Sequence, residues 1–194
     1  MTEDLSPRAN EIAEHARQLL AAGGYNGFSY ADLSERVRIG KASIHHHFPS
    51  KAELVLTVVR LHRQQSMEGL AALQQHVGDD PLAQLTAYVD YWARCIRDQS
   101  LAMCICAMLA AEFPMIPPEI GAEVQGYFGD LAAWIASVLT QGETKGQFRL
   151  QGGALVEAQT FMSTVHGAMM TSRALDDPEC FGTIAHTAIR RLSI

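Results

Sequence analysis

The sequence has few of the features that mark exported or membrane proteins. No apolar stretch approaches the roughly 18 residues that a membrane span needs, although 48% of the 194 residues are hydrophobic. The opening residues, MTEDLSPRAN, lack the basic and apolar regions of a signal peptide. The four cysteines include no CxxC pair and do not suggest the disulfide framework of a small secreted protein. We therefore expect an intracellular, cytoplasmic protein.

The chain also lacks a surplus of basic residues. Its formal net charge is −6, which at first argues against nucleic acid as a partner. The acidity is uneven, however, because residues 1–63 hold eight Lys or Arg and seven Asp or Glu, whereas residues 64–194 hold seven and fourteen. A near-neutral first part and an acidic second part indicate two functions in one chain.

No segment has a convincing strand pattern, whereas helix signals recur from end to end. Ser6 and Pro7, for example, have the N-cap and the first-position proline of a helix. In the segment 101–113 only Glu112 is charged, which predicts a helix buried on all sides. The sequence therefore predicts an all-α chain of about nine helices.

The densest helix signals lie between residues 28 and 54. Ser29 and Asp32 form a predicted capping box, and Ser50 and Glu53 form a second one. Between them, Gly40 precedes a short amphipathic segment. Two helices of about seven residues, joined by about four, would feed a longer third helix, which is the spacing of a helix-turn-helix.

The segment RIGKASIHHHFPSK, residues 38–51, has three consecutive histidines and no acidic residue. Adjacent helical residues point about 100° apart, so the three imidazoles cannot converge on one metal ion. Helical metal sites use pairs four residues apart instead. We therefore predict no metal site in this segment.

Two interpretations of the segment remain. In one it is a solvated face with a single ring, that of His47, packed near Ile44 and Phe48. In the other it is the exposed end of a recognition helix. Four side chains could then donate hydrogen bonds to phosphates or bases: Lys41, Ser43, His45 and His46. Lys51 and the free amides after the Ser50 cap offer another anion site.

Residues 8–60 resemble the DNA-binding domain of the TetR/AcrR repressors. The family pattern is a capped helix, a small-residue turn, and then Lys-x-x-Leu-Tyr-x-Tyr-Phe-x-x-Lys-x-x-Leu. The chain has GKASIHHHFPSKAEL at these places, in the same order and spacing. It departs from the pattern at Arg38, where a turn glycine is common, and at Gly40, where a serine cap is usual. We expect Arg38 either to adopt a left-handed backbone or to use a different turn.

The resemblance implies a helix-turn-helix at residues 29–48. It also implies a DNA-binding domain at residues 1–50 and an effector-binding and dimerisation domain at residues 51–194. The expected partners are double-stranded operator DNA, a second copy of the chain and a small apolar or electrophilic effector. The DNA-facing residues implied by the resemblance are Ser29, Tyr30, Lys41, Ala42, Ser43, His45, His46 and Lys51.

For the second domain the resemblance is one of architecture only. It implies an effector pocket among the middle helices, for which the candidates are Trp92, Met103, Cys104, Cys106, Met108, Phe113, Tyr127, Phe128 and Trp134. It also implies a dimer interface on the last two long helices, for which the candidates are Phe161, Met162, Val165 and Met169. An ordinary helical core is the alternative for both sets.

Cys104 and Cys106 have two possible roles. On a helix beginning near Ser100, Cys104 and Cys106 would point about 200° apart and could not bridge each other. They are either small buried core residues or a thiol switch. The segment CICAMLAAEFP is similar to the central helix of a TetR/AcrR branch that responds to electrophiles or oxidants.

The sequence therefore predicts a homodimeric transcriptional repressor that a small-molecule or thiol-reactive effector releases from its operator. No cofactor is expected. No carboxylate pair, nucleophile–base set or phosphate loop indicates an enzyme. The alternative is a helical protein-interaction module without DNA binding, against which Lys41 and Lys51 argue because no acidic residue stands between Gly40 and Lys51.

Overall fold

The computed structural model describes residues 5–101 and 103–194 of the chain. Within these residues it contains no strand, and a 3₁₀ turn at Phe113–Met115 separates the sixth and seventh helices. The nine helices of this part are α1 (Pro7–Gly23), α2 (Tyr30–Val37), α3 (Lys41–His47), α4 (Lys51–Val77), α5 (Pro81–Arg97), α6 (Ile105–Ala111), α7 (Pro118–Thr144), α8 (Ala154–Ala174) and α9 (Pro178–Leu192). The predicted all-α architecture is confirmed.

The described residues form two compact units. The first consists of the described residues up to Gln65 together with Met103–Tyr127, and the second of residues 66–101 together with Phe128–Ile194. Helices α4 and α7 therefore each contribute to both units. No described helix is long and apolar enough to cross a membrane.

The first unit has a core built from one apolar stripe of each helix. Ser6 caps α1 by accepting a hydrogen bond from the amide of Ala9 at 3.2 Å. The buried residues recur at helical spacing, and each large one contributes about 1.5–3 kcal/mol by leaving water. They include Ile12, Ala16 and Leu20 from α1, Leu33 and Val37 from α2, Ile44 from α3, and Leu54, Val55 and Val58 from α4.

The second unit packs α9 against both α5 and α8. Its buried stripes include Leu85, Val89 and Trp92 from α5, Phe161, Val165 and Met169 from α8, and Phe181, Ala185 and Ile189 from α9. The chain end closes on the loop after α7, where the amide of Arg149 donates to the carbonyl of Leu192 at 2.8 Å. Phe148 is buried there against Gly142, where a Cβ atom would overlap the Phe148 ring.

The prediction of a helix that begins near Ser100 is wrong. The chain leaves α5 through Gln99, whose φ of 57° is left-handed, and the side chain of Asp98 accepts the amide of Ser100 at 2.9 Å. These local bonds replace the first helical turn, so α6 begins only at Ile105, with Cys104 as its N-cap. Ala102 of the predicted helix lies outside the described residues. The expected burial on all sides is also wrong, because Ala110 and Ala111 are exposed.

Candidate nucleic-acid interface

The first helix of the predicted helix-turn-helix begins with the expected capping box. The Ser29 hydroxyl accepts the amides of Ala31 and Asp32, and the Asp32 carboxylate accepts the Ser29 amide at 2.7 Å. Hydrogen bonds from the Ser29 hydroxyl and amide lower the pKa of Asp32. Phe28, just before the cap, is buried, as a hydrophobic staple requires. The start of α2 is thereby fixed.

The turn between α2 and α3 has a left-handed residue. Arg38 ends α2 with φ 57° and ψ 41°, a conformation that side chains with a Cβ atom rarely adopt. The Ser34 hydroxyl donates to the carbonyl of Ile39 at 2.5 Å, and the Arg38 amide donates to the carbonyl of Ser34. Of the two alternatives expected at Arg38, the structure has the left-handed backbone, and local hydrogen bonds hold it.

Helix α3 anchors itself with one residue and exposes most of the others. Ile44 is fully buried, and Phe48 is buried directly after the helix. His47 is half-buried, as the sequence predicted. The exposed positions are Lys41, Ala42, Ser43, His45 and His46. Lys41 and Ser43 supply hydrogen-bond donors, and none of the five side chains is a carboxylate.

His45 and Tyr30 are held by neighbouring carbonyl groups. The Nδ1 atom of His45 lies 3.1 Å from the carbonyl oxygen of Pro49, which can only accept, so Nδ1 carries a proton. The Tyr30 hydroxyl donates to the carbonyl of Phe48 at 2.9 Å, and burial raises the pKa of Tyr30 to about 12. The two rings are 4.8 Å apart. Neutral His45 therefore offers only the lone pair of Nε2 to a ligand.

Lys51 is held inside the first unit rather than projecting freely. Its ammonium group donates to the carbonyl of Phe28 and lies 4.3 Å and 4.8 Å from the ring centroids of Phe28 and Tyr25. Burial lowers the pKa of Lys51, and the carboxylates of Glu112 and Asp32 oppose this effect. Lys51 thus ties the start of α4 to the loop before α2.

Two charged residues near this surface were not among the predicted site residues. Arg38 is an exposed cation in the turn. Its position in the turn of the family pattern could have marked it as a candidate for this surface. Glu112 binds the loop that precedes α2, accepting the amides of Tyr25 and Asn26 at 2.5 Å and 3.1 Å. More than 80 residues separate these partners, so no local pattern could indicate the contact.

The predicted effector-pocket residues are divided between the two units. In the first unit Met103, Cys104, Cys106 and Tyr127 are buried, Met108 is half-buried and Phe113 is 40% exposed. In the second unit Trp92 is buried, whereas Phe128 and Trp134 are half-buried. The described residues include a groove of about 470 Å³ between α8 and α9, and none of the nine residues lines it.

The prediction that the two cysteines point apart is wrong, because Cys104 precedes α6 instead of belonging to it. The Cys104 and Cys106 side chains share a hydrogen bond, and the Cys104 thiol also donates to the Tyr127 hydroxyl at 3.5 Å. Burial raises the pKa of the Cys106 thiol well above its ordinary value, and the bond to Cys104 raises it further. The reactive thiolate is therefore disfavoured.

Three of the four predicted dimer residues face the core of their own chain. Phe161 is 2% exposed, and Val165 and Met169 are fully buried, whereas Met162 is half-buried. A different face of α8 is exposed in the described chain. It carries small, polar or apolar residues at helical spacing and no charge: Val156, Gln159, Thr160, Ser163, Gly167 and Met170.

A capped helix-turn-helix with an exposed, acid-free second helix defines a DNA-binding regulator. Comparisons with known proteins agree with this class. A family profile described as "Bacterial regulatory proteins, tetR family" matches residues 12–58. A second profile, "Tetracyclin repressor-like, C-terminal domain", matches residues 81–188. The chain belongs to the TetR family.

Solved structures and one curated protein are similar to the chain. A TetR-family transcriptional regulator from Agrobacterium tumefaciens is 44% identical, with a TM-score of 0.93 over 96% of this chain and 98% of that one. The reduced form of NemR from E. coli has a TM-score of 0.82 over 97% and 98% of the two chains. Its identity is 17%, so it shows the fold alone.

The curated relative is the HTH-type transcriptional repressor AcnR of Corynebacterium diphtheriae, which is 40% identical over 57 residues. The match spans 29% of this chain and 30% of that repressor. Regulators of the TetR family bind operator DNA, act as dimers and respond to small-molecule effectors. Family membership and this relative together support a DNA-binding transcriptional repressor.

Proposed function

We propose that the chain is a homodimeric repressor that reads a near-palindromic operator with α3 of each subunit. The observation that carries the proposal is the exposed surface of α3, which offers donors to phosphates and bases and has no carboxylate. Residues 1–50 would bind DNA, and residues 51–194 would bind the effector and the second subunit. Each α3 would occupy one half-site, with half-sites about one helical turn apart or a little more.

The DNA-facing residues divide into two groups in this proposal. Lys41, Ala42, Ser43, His45 and His46 would meet the groove directly, because their side chains are exposed. Ser29, Tyr30 and Lys51 are tied to caps or carbonyl groups of the chain. These three would orient α2, α3 and the start of α4, and any contact they make with phosphate would be additional.

The second subunit would cover the uncharged face of α8. Val156 is 60% exposed and Met170 is 54% exposed, so a partner would remove apolar surface from water. Ser163 and Gly167, between them, would let the two helices approach closely. The predicted residues Phe161, Val165 and Met169 would support this face from behind, with Met162 at its margin.

The effector would act on the residues around the start of α6. Cys104 contacts both Cys106 and Tyr127 there, and the His62 ring stacks on Tyr127 at 5.3 Å. The buried, protonated Cys106 favours a small, largely apolar molecule over a thiol-reactive one. Binding would displace α4, which belongs to both units, and release the operator.

Selection of duplexes from a randomised pool tests the proposal. The protein should enrich a near-palindromic sequence and bind it as a dimer, and a Ser43→Arg variant should enrich a different sequence. If no sequence is enriched and duplex DNA is not retained, the helical protein-interaction module is the correct description. Treatment of the bound complex with a maleimide separates the effector classes, because a non-covalent effector site predicts that the complex survives it.

A further inference from the structure

The carboxylate of Glu112 holds the loop that leads into the helix-turn-helix. Glu112, the C-cap residue directly after α6, accepts the backbone amide of Tyr25 at 2.5 Å and that of Asn26 at 3.1 Å. The Asn26 side-chain amide adds a third hydrogen bond at 3.1 Å. Two consecutive amides that converge on one carboxylate form an anion-binding nest. Hydrogen bonds to a charged acceptor are among the stronger ones in proteins.

The loop is shaped to admit this carboxylate. Gly24, which ends α1, has a φ of 74°, a conformation that favours glycine. A Cβ atom on Gly24 would overlap the carboxylate of Glu112. Both the backbone conformation and the space therefore require glycine at this position. The contact between α6 and the loop is a built feature of the fold, not a chance surface pair.

The same loop sets the position of the DNA-binding helices. The Tyr25 ring packs under the ammonium group of Lys51, which donates to the carbonyl of Phe28 immediately before the cap of α2. Glu112 thus fixes Tyr25, and Tyr25 and Lys51 fix both the start of α2 and the start of α4. The other end of α6 carries Cys104, in contact with Tyr127.

We propose that Glu112 is a positioning residue that couples α6 to the helix-turn-helix. With its carboxylate in the nest, α1 and α2 are held in the orientation that reads the operator. A movement of α6 withdraws the carboxylate, leaves two backbone amides without their acceptor and loosens the loop. This proposal rests on the proposed function, since it assigns the step by which a movement of α6 changes the binding of the helix-turn-helix to DNA.

The Glu112→Gln variant tests the coupling, because Tyr25 and Asn26 donate to different oxygens of Glu112, and the variant replaces one of these oxygens with an NH₂ group that only donates. Operator affinity should fall about tenfold, while affinity for an unrelated duplex and the salt dependence stay unchanged. The matched control is Glu119→Gln. Glu119 is exposed and acts on Tyr25 only through its charge, so this variant should bind the operator within about twofold of wild type.

A milder variant tests the coupling even if Glu112→Gln does not fold. Asn26→Ala removes only the side-chain donor and should lower operator affinity by a few-fold, and its effect should not add to that of Glu112→Gln. Equal losses on operator and unrelated duplexes, or operator binding by Glu112→Gln within about twofold of wild type, would overturn the proposal.

Amide exchange keeps the coupling testable even if the proposed function fails. The Tyr25 and Asn26 amides should be protected in the wild type and should exchange about tenfold faster in Glu112→Gln. The acceleration should reach the first amides of α2 and leave the second unit unchanged. If wild type binds no duplex, the proposed function is lost while this result still supports the coupling. Unchanged exchange at Tyr25 and Asn26 would refute the coupling by itself.

Discussion

The exposed faces of the short helix α3 and the long helix α8 have opposite chemistry. The α3 face has a lysine, a serine and two histidines around one alanine. The α8 face has Val156, Gln159, Ser163, Gly167 and Met170 and no charge. Donors without acids suit a polyanion, and small uncharged residues suit a second helix. The buried side of each helix explains the fold, and the exposed side indicates the partner.

The largest expected effect comes from placing a charge on the α8 face. Gly167→Arg should abolish the dimer and lower operator affinity roughly 100-fold or more, because two linked half-site contacts become independent. No atom lies within 4 Å of the added Cβ, so the subunit should still fold. Sedimentation at micromolar concentration measures the association.

Gly129→Arg is the matched control, since Gly129 is an exposed glycine of α7 with the same open surroundings. It should remain dimeric and bind the operator as wild type does. A dimeric Gly167→Arg would show that the second subunit covers a different surface.

The next largest effect is expected from a substitution that removes a charge from α3. Lys41→Ala should weaken operator binding about tenfold and reduce the salt slope by about 1, because one phosphate contact is lost. Arg94→Ala, which removes an exposed cation from α5, should change neither quantity. Binding titrations at several salt concentrations measure both variants, and identical slopes for Lys41→Ala and wild type would place Lys41 away from the phosphates.

The smallest effect concerns backbone strain. Arg38→Gly should stabilise the protein by up to about 1 kcal/mol, since glycine adopts the left-handed conformation without steric cost. Asp176, in the second unit, has a φ of 50°, but aspartate tolerates this region better, so Asp176→Gly should gain less. Urea unfolding compares the two variants. A larger gain at Asp176 would show that the Ser34 and Ile39 hydrogen bonds remove the strain at Arg38.

Local signals predicted most of the fold. The capping box of Ser29 and Asp32 depends on residues a few positions apart, and the structure has it. The left-handed backbone at Arg38 is one of the two alternatives that the sequence left open. The start of α6 was missed because Asp98 binds the amide of Ser100 in competition with a helix. The contact of Cys104 with Cys106 followed from that error.

Other features depend on tertiary structure that no pattern specifies. Phe161 and Met169 have helical periodicity, but periodicity cannot distinguish a stripe that faces its own chain from one that faces a partner. The Glu112 carboxylate reaches Tyr25 across 87 positions of sequence. Such a contact follows from the packing of α6 near α1, and only the structure reveals it.

Salt-dependent binding to the selected operator tests the central claim most directly. Fluorescence anisotropy with a labelled duplex should give two chains per operator. Affinity should fall steeply with salt, with a logarithmic slope of about −4.5 or steeper, as release of counterions from at least about five phosphates requires. Binding by a single chain, or affinity that does not change with salt, would contradict the account of α3 as the DNA-reading surface of a dimer.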